Sequence, residues 1–592
     1  MIRGKVKTRI STIFLCCILI FCCILGKLGY EQIFHHTDIM EKALSLWERD
    51  FTVAGLRGSI LDKNGNVLAH DIPSTSVMVV PAQIQDADKT AQQLADVLQA
   101  DKKKILSTIT KHVSTQKLQP EGRLISDDKA RKLEAMDLPG VYLVQDSLRN
   151  YPNNNYLAQV LGFTGIDNQG LAGLELQYND ILSAKSGALN IPFDAKGHNV
   201  ELYKESYEAP GRGMDVQLTI DSNIQDIVER ELNNLVKRYK PKSALALAMN
   251  PNTGEILAMV SKPDFDPNHY KDYSSDVYNR NLPIWKSYEP GSTFKSVTFA
   301  SALELKLFDM FKDTYYDRGY EMVGGARIKS WKAGGHGQQT FLQVLENSSN
   351  PGFVEISRRM GLDNEYDFVK KFGFGEKTGI DLPGESKGIM FKKSAMGELE
   401  QATVAFGQGL SVTPIQLVTA FSAIINGGTL YTPYITKSIN DPITHDAILE
   451  YKPTAKRKVI SEDTSKKMRY ALESVVANGG GKPAYTEGYK IGGKTGTAQI
   501  AENGVYSTSN YILSFLSAAP IDDPQIVLYI AADSPQNDVL YGGTVIAPVA
   551  KACYEDILPY LGVKKAEEQI PKKLVWPETE NIKVQDFRGK KK

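Results

Sequence analysis

Residues 289–295 read Glu-Pro-Gly-Ser-Thr-Phe-Lys and precede an apolar, periodic run. Because Pro290 and Gly291 favour a sharp entry into a helix, this pattern predicts Ser292 at a helix N-terminus, in the positive end of the helix dipole. Lys295 follows on the same helical face, so we expect its amine within reach of the Ser292 hydroxyl. A serine becomes a nucleophile when a base takes its proton, and a lysine kept neutral by burial and a neighbouring positive charge is such a base. Alone the signal is weak, because a capping serine followed by a surface lysine shares the pattern.

A second polar element, Ser348-Ser349-Asn350, precedes Pro351-Gly352. Ser348 and Asn350 alternate along a predicted loop and could point the same way. They would then supply a hydroxyl that relays a proton and an amide that binds a substrate carbonyl. Taken alone, this segment fits a polar turn better.

The third element, residues 492–499, reads Gly-Gly-Lys-Thr-Gly-Thr-Ala-Gln and is typical of a strand to which another segment comes close. Lys494 offers the second positive charge that helps to keep Lys295 neutral. Thr495 and Thr497 point to one face of the strand, where they could hold a carboxylate.

A phosphate-binding loop competes with this interpretation, because residues 488–495 satisfy the pattern G-x-x-x-x-G-K-[ST]. A true phosphate loop follows a buried strand and opens a helix. Here a polar, turn-like segment precedes the pattern and a strand is predicted to follow it, so the context favours the strand.

The charge balance and the cysteine content of the chain argue against nucleic-acid, metal and cofactor binding. The chain has 592 residues, with 69 Lys and Arg against 69 Asp and Glu. A net charge of zero gives no electrostatic reason to expect a nucleic-acid partner. Four of the 5 cysteines crowd between positions 16 and 23, and only Cys553 lies elsewhere. Without paired cysteines or a His-Glu-x-x-His pattern, we expect neither a metal nor another cofactor.

The N-terminus predicts a membrane anchor. Basic residues at positions 3, 5, 7 and 9 precede an uncharged run at 10–26, which is at the short end of what spans a bilayer. A cleaved signal peptide should end in a small-residue site, whereas this run continues into Lys27-Leu28-Gly29-Tyr30. We therefore favour a retained, single-pass anchor, with the N-terminus in the cytoplasm and nearly the whole chain outside the membrane.

The remaining chain is expected to mix helices and strands. Segment 59–69 predicts a hairpin with an Asn-Gly turn, and residues 244–260 predict a second hairpin. Between them, Pro210-Gly211-Arg212-Gly213 is typical of a domain boundary. Asp221 is expected to cap a long amphipathic helix that ends near Arg238.

In this order and combination, the three elements resemble the Ser-x-x-Lys, Ser-x-Asn and Lys-Thr-Gly motifs of the penicillin-binding proteins and serine β-lactamases. Further segments resemble signatures of the class B, high-molecular-mass members, and in particular of their cell-division and sporulation-specific branch. These segments are residues 57–65, 170–175, 250–259, 407–416 and 426–428.

The resemblance implies an α+β multidomain fold. It consists of a cytoplasmic basic tail at 1–9, a transmembrane anchor at 10–26, an elongated α+β pedestal of the dimerisation type at 27–212, a C-terminal transpeptidase domain with a serine β-lactamase-like fold at 213–562 and a charged tail at 563–592.

The resemblance also implies the activity, a peptidoglycan D,D-transpeptidase of cell wall or spore cortex synthesis. Its substrate would be a stem peptide ending in D-Ala-D-Ala, β-lactams would acylate it, and a SEDS-type glycan polymerase in the membrane would be its partner. The implied catalytic residues are Ser292, Lys295, Ser348, Asn350 and Lys494, and the implied substrate and oxyanion residues are Thr495, Gly496 and Thr497.

Two other activities stay open at this point. A carboxypeptidase or β-lactamase would use water as the acceptor, and a scaffold or sensor would bind in the same pocket without turnover. The chain also departs from the family where Lys63 replaces the usual Arg, and residues 582–589 resemble the first strand of a PASTA domain. His336, on a glycine-rich loop, is expected to be structural, and Cys553 an ordinary buried cysteine.

Overall fold

The computed structural model describes residues 2–34, 48–192, 206–502, 505–536 and 541–566, so the PASTA-like segment at 582–589 lies outside the described residues. The chain divides into two units, each drawn from several stretches. Unit 1 takes residues 1–57, 71–148 and 184–213, and unit 2 takes residues 58–70, 149–183 and 214–592.

In chain order, the helices of the described residues are α1 (Ile2–Phe34), α2 (Ala87–Leu98), α3 (Lys102–Ile109), α4 (Asp127–Met136), α5 (Ala158–Leu161), α6 (Gly173–Gln177), α7 (Asn179–Leu182), α8 (Ser222–Tyr239), α9 (Ser275–Tyr278), α10 (Leu282–Trp285), α11 (Lys295–Glu304), α12 (Phe341–Glu346), α13 (Asn350–Lys371), α14 (Glu398–Val404), α15 (Pro414–Ile425), α16 (Glu462–Ala477), α17 (Gly542–Val545) and α18 (Ala547–Tyr560). Short 3₁₀ segments lie at Pro81–Gln83, Pro267–Asp272, Gly291–Thr293, Lys393–Ala395 and Lys482–Ala484.

The strands are β1 (Glu48–Val53), β2 (Ile60–Leu61), β3 (Val67–Val79), β4 (Gln116–Lys117), β5 (Val141–Asn150), β6 (Gly187–Pro192), β7 (Ser206–Glu208), β8 (Asp215–Leu218), β9 (Ser243–Met249), β10 (Ile256–Lys262), β11 (Thr314–Asp317), β12 (Tyr320–Val323), β13 (Ala326–Lys329), β14 (Gly337–Thr340), β15 (Thr429–Tyr431), β16 (Thr436–Asn440), β17 (Ala447–Glu450), β18 (Ala455–Lys458), β19 (Gly492–Glu502), β20 (Val505–Ala519) and β21 (Ile526–Asp533).

Helix α1 is long and apolar enough to cross a membrane, and no other helix among the described residues meets both conditions. It extends the apolar run at 10–26 in both directions, because no proline interrupts the flanking polar residues. The helix fits a single-pass membrane anchor.

Unit 1 contains an antiparallel sheet of β1, β6 and β7, and β3 pairs with β4. Asp86 caps α2 by accepting a hydrogen bond from the Lys89 amide. Behind this cap, Leu94 and Leu98 of α2 lie in one apolar cluster with Ile105 of α3.

Unit 2 is built around a five-stranded antiparallel sheet in the order β10-β9-β21-β20-β19. Along β9, leucines 245 and 247 and Met249 belong to the apolar cluster on one face, whereas alanines 244, 246 and 248 belong to the cluster on the other. This alternation is the two-residue period of a strand with both faces buried. Because the alanines are small, they leave room for α8 and α18, whose residues Val228 and Ile557 lie in the same cluster.

The predicted hairpins and the predicted cap are confirmed. β2 pairs with β3 across a turn in which Gly65 has φ +88°, and β9 pairs with β10. The Asp221 side chain accepts a hydrogen bond from the Asn223 amide at the start of α8. The helix ends at Tyr239, and Lys240 after it lies in the left-handed region.

The other face of the sheet carries α11 and α15. Every residue of α15 is buried, and α11 is buried from Lys295 to Leu303. Helices without a polar face lie inside a fold. A buried α11 therefore carries its polar residues, Lys295 among them, into the interior beside the sheet.

Candidate active site

The turn that carries Ser292 is the 3₁₀ segment Gly291–Thr293, which runs into α11. Gly291 has φ +54°, a conformation that glycine adopts at low cost, and its amide donates to the Gly407 carbonyl at 2.9 Å. The Thr293 hydroxyl donates to the Pro290 carbonyl at 2.8 Å. These bonds fix the sharp entry that the sequence predicted and leave the Ser292 side chain half-buried.

The Ser348 hydroxyl joins the three sequence elements. It donates to Ser292 Oγ at 3.0 Å and accepts from Lys295 Nζ at 3.1 Å and from Lys494 Nζ at 3.0 Å. Ser348 has φ +53°, a left-handed conformation that costs a non-glycine residue about 1 kcal/mol or more. Such a strained backbone persists only where its surroundings hold it in place, and here it lies directly beside Ser292, the candidate nucleophile.

Lys295 differs from the expectation in one respect. Its amine bonds to the Ser348 carbonyl at 2.8 Å, to Ser348 Oγ and to Asn350 Oδ1 at 2.7 Å, rather than directly to Ser292. A lysine amine carries up to three donors, and in a buried position each needs an acceptor. The connection to Ser292 therefore passes through the Ser348 hydroxyl.

Both buried lysines have lowered pKa values. Burial lowers the pKa of Lys295 well below its usual range, and the charge of Lys494 lowers it further, as the sequence predicted. Burial alone lowers the pKa of Lys494 to about 7. Within the described residues neither amine forms an ion pair with a carboxylate, so no negative charge offsets the cost of burying the charged form.

The strand β19 carries the third element on the outer position of the sheet. Thr495 and Thr497 are half-buried, whereas Lys494 and Gly496 are buried, which confirms the predicted alternation. A Cβ on Gly496 would lie 2.4 Å from Ser514 Oγ, so glycine is needed where the sheet packs this tightly.

The phosphate-loop interpretation of residues 488–495 is wrong. The pattern continues into β19 rather than into a helix, and Lys494 Nζ bonds to Ser348 Oγ and to the Thr495 carbonyl. A lysine buried in this way is not available to a phosphate group.

Asp317 is a residue that the sequence analysis missed. It is 1% exposed, and it accepts hydrogen bonds from the Ser349 hydroxyl at 2.8 Å and from the Ser330 hydroxyl at 3.2 Å. No motif spacing marks it, because its partners meet it only in the folded chain. Trp331 beside it was missed as well, and its indole donates to the Asn347 carbonyl at 2.7 Å.

His336 and Cys553 lie outside the hydrogen-bond network of the three elements. Burial lowers the pKa of His336, whose ring centroid is 5.3 Å from that of Trp331, and its structural role stays a prediction. Cys553 is fully buried, as expected, and burial raises the pKa of its thiol.

Comparisons with known proteins agree with this geometry. Residues 244–555 match the family model of the penicillin binding protein transpeptidase domain, and residues 52–218 match that of the penicillin-binding protein dimerisation domain. The chain is 49% identical to stage V sporulation protein D of Bacillus subtilis over 99% of its own length and 90% of that protein.

More distant similarities extend over nearly the same length. Identity to the peptidoglycan D,D-transpeptidase FtsI of Escherichia coli K12 is 28%, over 94% of this chain and 93% of that protein. The crystal structure of a peptidoglycan synthetase from Bifidobacterium adolescentis matches with a TM-score of 0.70 and 26% identity, over 89% of this chain and 99% of that one.

Proposed function

The chain belongs to the class B penicillin-binding proteins and is a peptidoglycan D,D-transpeptidase, in which we propose that Ser292 is the nucleophile and Lys295 its base. The observation that carries this proposal is the Ser348 hydroxyl, which is hydrogen-bonded to Ser292, Lys295 and Lys494 at once. The names of the relatives favour transpeptidation over the hydrolytic and scaffold alternatives.

In the acylation step, Ser292 Oγ forms a bond to the carbonyl carbon of the penultimate D-Ala. For this step the Ser348 hydroxyl turns from Ser292 toward the neutral amine of Lys295. Ser348 then gives its proton to Lys295 as it takes the proton of Ser292. The backbone N–H groups of Ser292 and Thr497 stabilise the oxyanion, and one such donor contributes about 3 kcal/mol in other acyl-transfer enzymes.

The carbon–nitrogen bond then breaks, and Ser348 passes a proton from Lys295 to the departing D-Ala. The amine of a second stem peptide attacks the ester carbonyl and gives up a proton to Lys295. The bond between Ser292 Oγ and the carbonyl carbon then breaks, and Ser292 takes that proton from Lys295. Asn350 and β19 hold the donor peptide, with the Thr495 and Thr497 hydroxyls on its terminal carboxylate.

A β-lactam would take the place of the donor peptide. Ring opening leaves a penicilloyl ester on Ser292 without a departing amine, so the ester is expected to persist.

Covalent labelling with a fluorescent penicillin tests this assignment. The wild-type chain and Ser296→Ala should be labelled, whereas Ser292→Ala should not. Ser296 is the matched control, since it is a buried serine on α11 whose hydroxyl has no hydrogen-bond partner among the described residues. Label that persists on Ser292→Ala would overturn the assignment, and label lost from the wild type within minutes would favour a β-lactamase.

We infer further that α1 keeps the chain at the membrane with its N-terminus in the cytoplasm and unit 2 outside, where a SEDS-type glycan polymerase is its partner. Support comes from the basic residues Lys5, Lys7 and Arg9, which all precede the most apolar part of α1. Protease added to intact spheroplasts should digest unit 2 and spare an N-terminal tag. Digestion of the tag alone would overturn this orientation, and co-purification with a tagged polymerase tests the partner.

A further inference from the structure

We propose that Asp317 is a positioning residue for acylation, because it holds the middle serine of the Ser348-Ser349-Asn350 segment and thereby sets the place of the Ser348 hydroxyl. The inference rests on the proposed role of Ser348 as the proton relay.

Ser349 is bonded in two directions. Its hydroxyl accepts from the Gly352 amide, which caps α13, and donates to Asp317 Oδ2 at 2.8 Å. Ser349 is fully buried, so neither bond has water as a substitute. The residues on both sides, Ser348 and Asn350, are those that bond to the Lys295 amine.

Asp317 also holds the neighbouring loop against the same segment. Its Oδ1 accepts from the Gly319 amide at 2.8 Å, and its Oδ2 accepts from Ser330 as well as from Ser349. The residues flanking Ser330 bond to both ends of the Ser348-Ser349-Asn350 segment. Trp331 donates to the carbonyl of Asn347, just before the segment, and the Lys329 carbonyl accepts from Asn350.

The backbone at Gly335 packs closely against Asp317 and leaves no space for a side chain at position 335. A Cβ on Gly335 would lie 2.2 Å from the Asp317 carbonyl oxygen and 2.7 Å from its Oδ1. No lysine, arginine or histidine within the described residues forms an ion pair with Asp317, so its recorded side-chain partners are two hydroxyls and one backbone amide. A carboxyl group that accepts from several donors at once is a directional anchor.

The consequence falls on Ser348, which keeps its left-handed backbone only while its neighbours hold it. If Asp317 no longer accepts from Ser349, the segment is free to relax and the Ser348 hydroxyl to leave its place between the nucleophile and the two lysines. A displacement of about 1 Å at such a position costs on the order of a hundredfold in rate.

The test measures acylation of the full-length chain by a fluorescent penicillin, resolved into the dissociation constant of the reversible complex and the first-order acylation rate constant. Asp317→Asn leaves one acceptor oxygen for three donors, and we expect its rate constant to fall about 10- to 100-fold with an unchanged dissociation constant. Ser349→Ala should likewise lower the acylation rate constant and leave the dissociation constant unchanged. The double variant should be no slower than Asp317→Asn, because both changes break the same contact between Ser349 and Asp317.

Asp381→Asn is the matched control, since Asp381 also accepts from three donors in unit 2, namely Tyr178 and the amides of Ile435 and Thr436. It should acylate at the wild-type rate. An unchanged rate constant in Asp317→Asn, or an equal loss in Asp381→Asn, overturns the inference. Should Asp317→Asn not fold, an unchanged rate constant in Ser349→Ala overturns it too. Label that persists on Ser292→Ala would instead refute the proposed function, so the two failures are distinguishable.

Discussion

Among the described residues of unit 2, buried lysines lie in two environments, which shift their pKa values in opposite directions. Lys295 and Lys494 are 0% and 1% exposed and bond to hydroxyl, carbonyl and amide oxygens. Lys262 is 6% exposed, and its amine lies 2.9 Å from a carboxylate oxygen of Glu229 and 2.5 Å from one of Asp264.

Burial alone would lower the pKa of all three amines. At Lys262 the charges of Glu229 and Asp264 outweigh burial and the pKa is raised, whereas at Lys295 the charge of Lys494 adds to burial and the pKa is lowered. Burial therefore does not by itself make a base of a lysine. The neighbours must also be neutral or positive.

The largest expected effect is on the acylation rate, and it should distinguish Lys295 from Lys262. Lys295→Met should lower the rate of acylation by penicillin about a thousandfold, because it removes the proposed general base. Lys262→Met should leave the rate of the folded protein unchanged. The second-order acylation constant measures both, and comparable losses in the two variants would contradict the contrast.

A carboxylate placed beside Lys295 should make it resemble Lys262. In Asn350→Asp, the new carboxylate replaces the amide oxygen that lies 2.7 Å from Lys295 Nζ, and it should raise the pKa of that lysine. A base with a raised pKa stays protonated to higher pH, so the acid limb of the pH profile of acylation should move to higher pH. The acylation rate at neutral pH should fall about tenfold for each unit by which the pKa rises. The pH profile measures this shift.

The partial recovery of Asn350→Asp at alkaline pH distinguishes a changed pKa from a lost contact. Asn350→Ala is the matched control, because it removes the same amide without adding a charge. An equal loss at every pH in both variants would refute the electrostatic explanation.

Lys494→Gln should move the acid limb in the same direction by a smaller amount. The charge of Lys494 is the lesser of the two causes that lower the pKa of Lys295, and burial, the larger cause, is retained. The pH profile of acylation again measures the shift. A limb displaced to lower pH would show that Lys494 does not act on Lys295 through its charge.

Lys262→Met should have the smallest effect on acylation but should clearly lower the stability of the fold. Its removal leaves two partly buried carboxylates without a cation, which we expect to cost about 2 kcal/mol in the free energy of unfolding. Since the pKa of Lys262 is raised above 10.5, the stabilisation is present at neutral pH and is lost as the pH rises through that pKa. Urea unfolding of Lys262→Met at pH 7 and pH 11 checks both statements, and an equal cost at both would contradict them.

Sequence patterns predicted most of the geometry of the candidate active site. The proline and glycine before Ser292 predicted its turn, the alternation along 492–499 predicted β19, and the second lysine predicted the lowered pKa of Lys295. Short-range rules suffice there, because each pattern encodes its own backbone. They fail for Asp317, whose partners Ser330 and Ser349 are brought to it by separate strands and helices. They fail also for the Ser348 bridge, since a helical spacing fixes a face but not which acceptor a long side chain selects.

Unit 2 is built from three separate stretches of the chain, so its parts are synthesised at different times. The Ser59 amide donates to Asp215 Oδ1, 156 residues further along, and Ile60 pairs with Val216 of β8. A ribosome that adds about 5–20 residues per second reaches β8 on the order of ten seconds after this first hairpin. Through that interval Ile60, which is fully buried in the folded chain, lacks most of its apolar core. The segments of unit 2 that are synthesised first thus depend on later ones for their core, and a nascent chain stalled near residue 213 would display apolar surface that only later translation can cover.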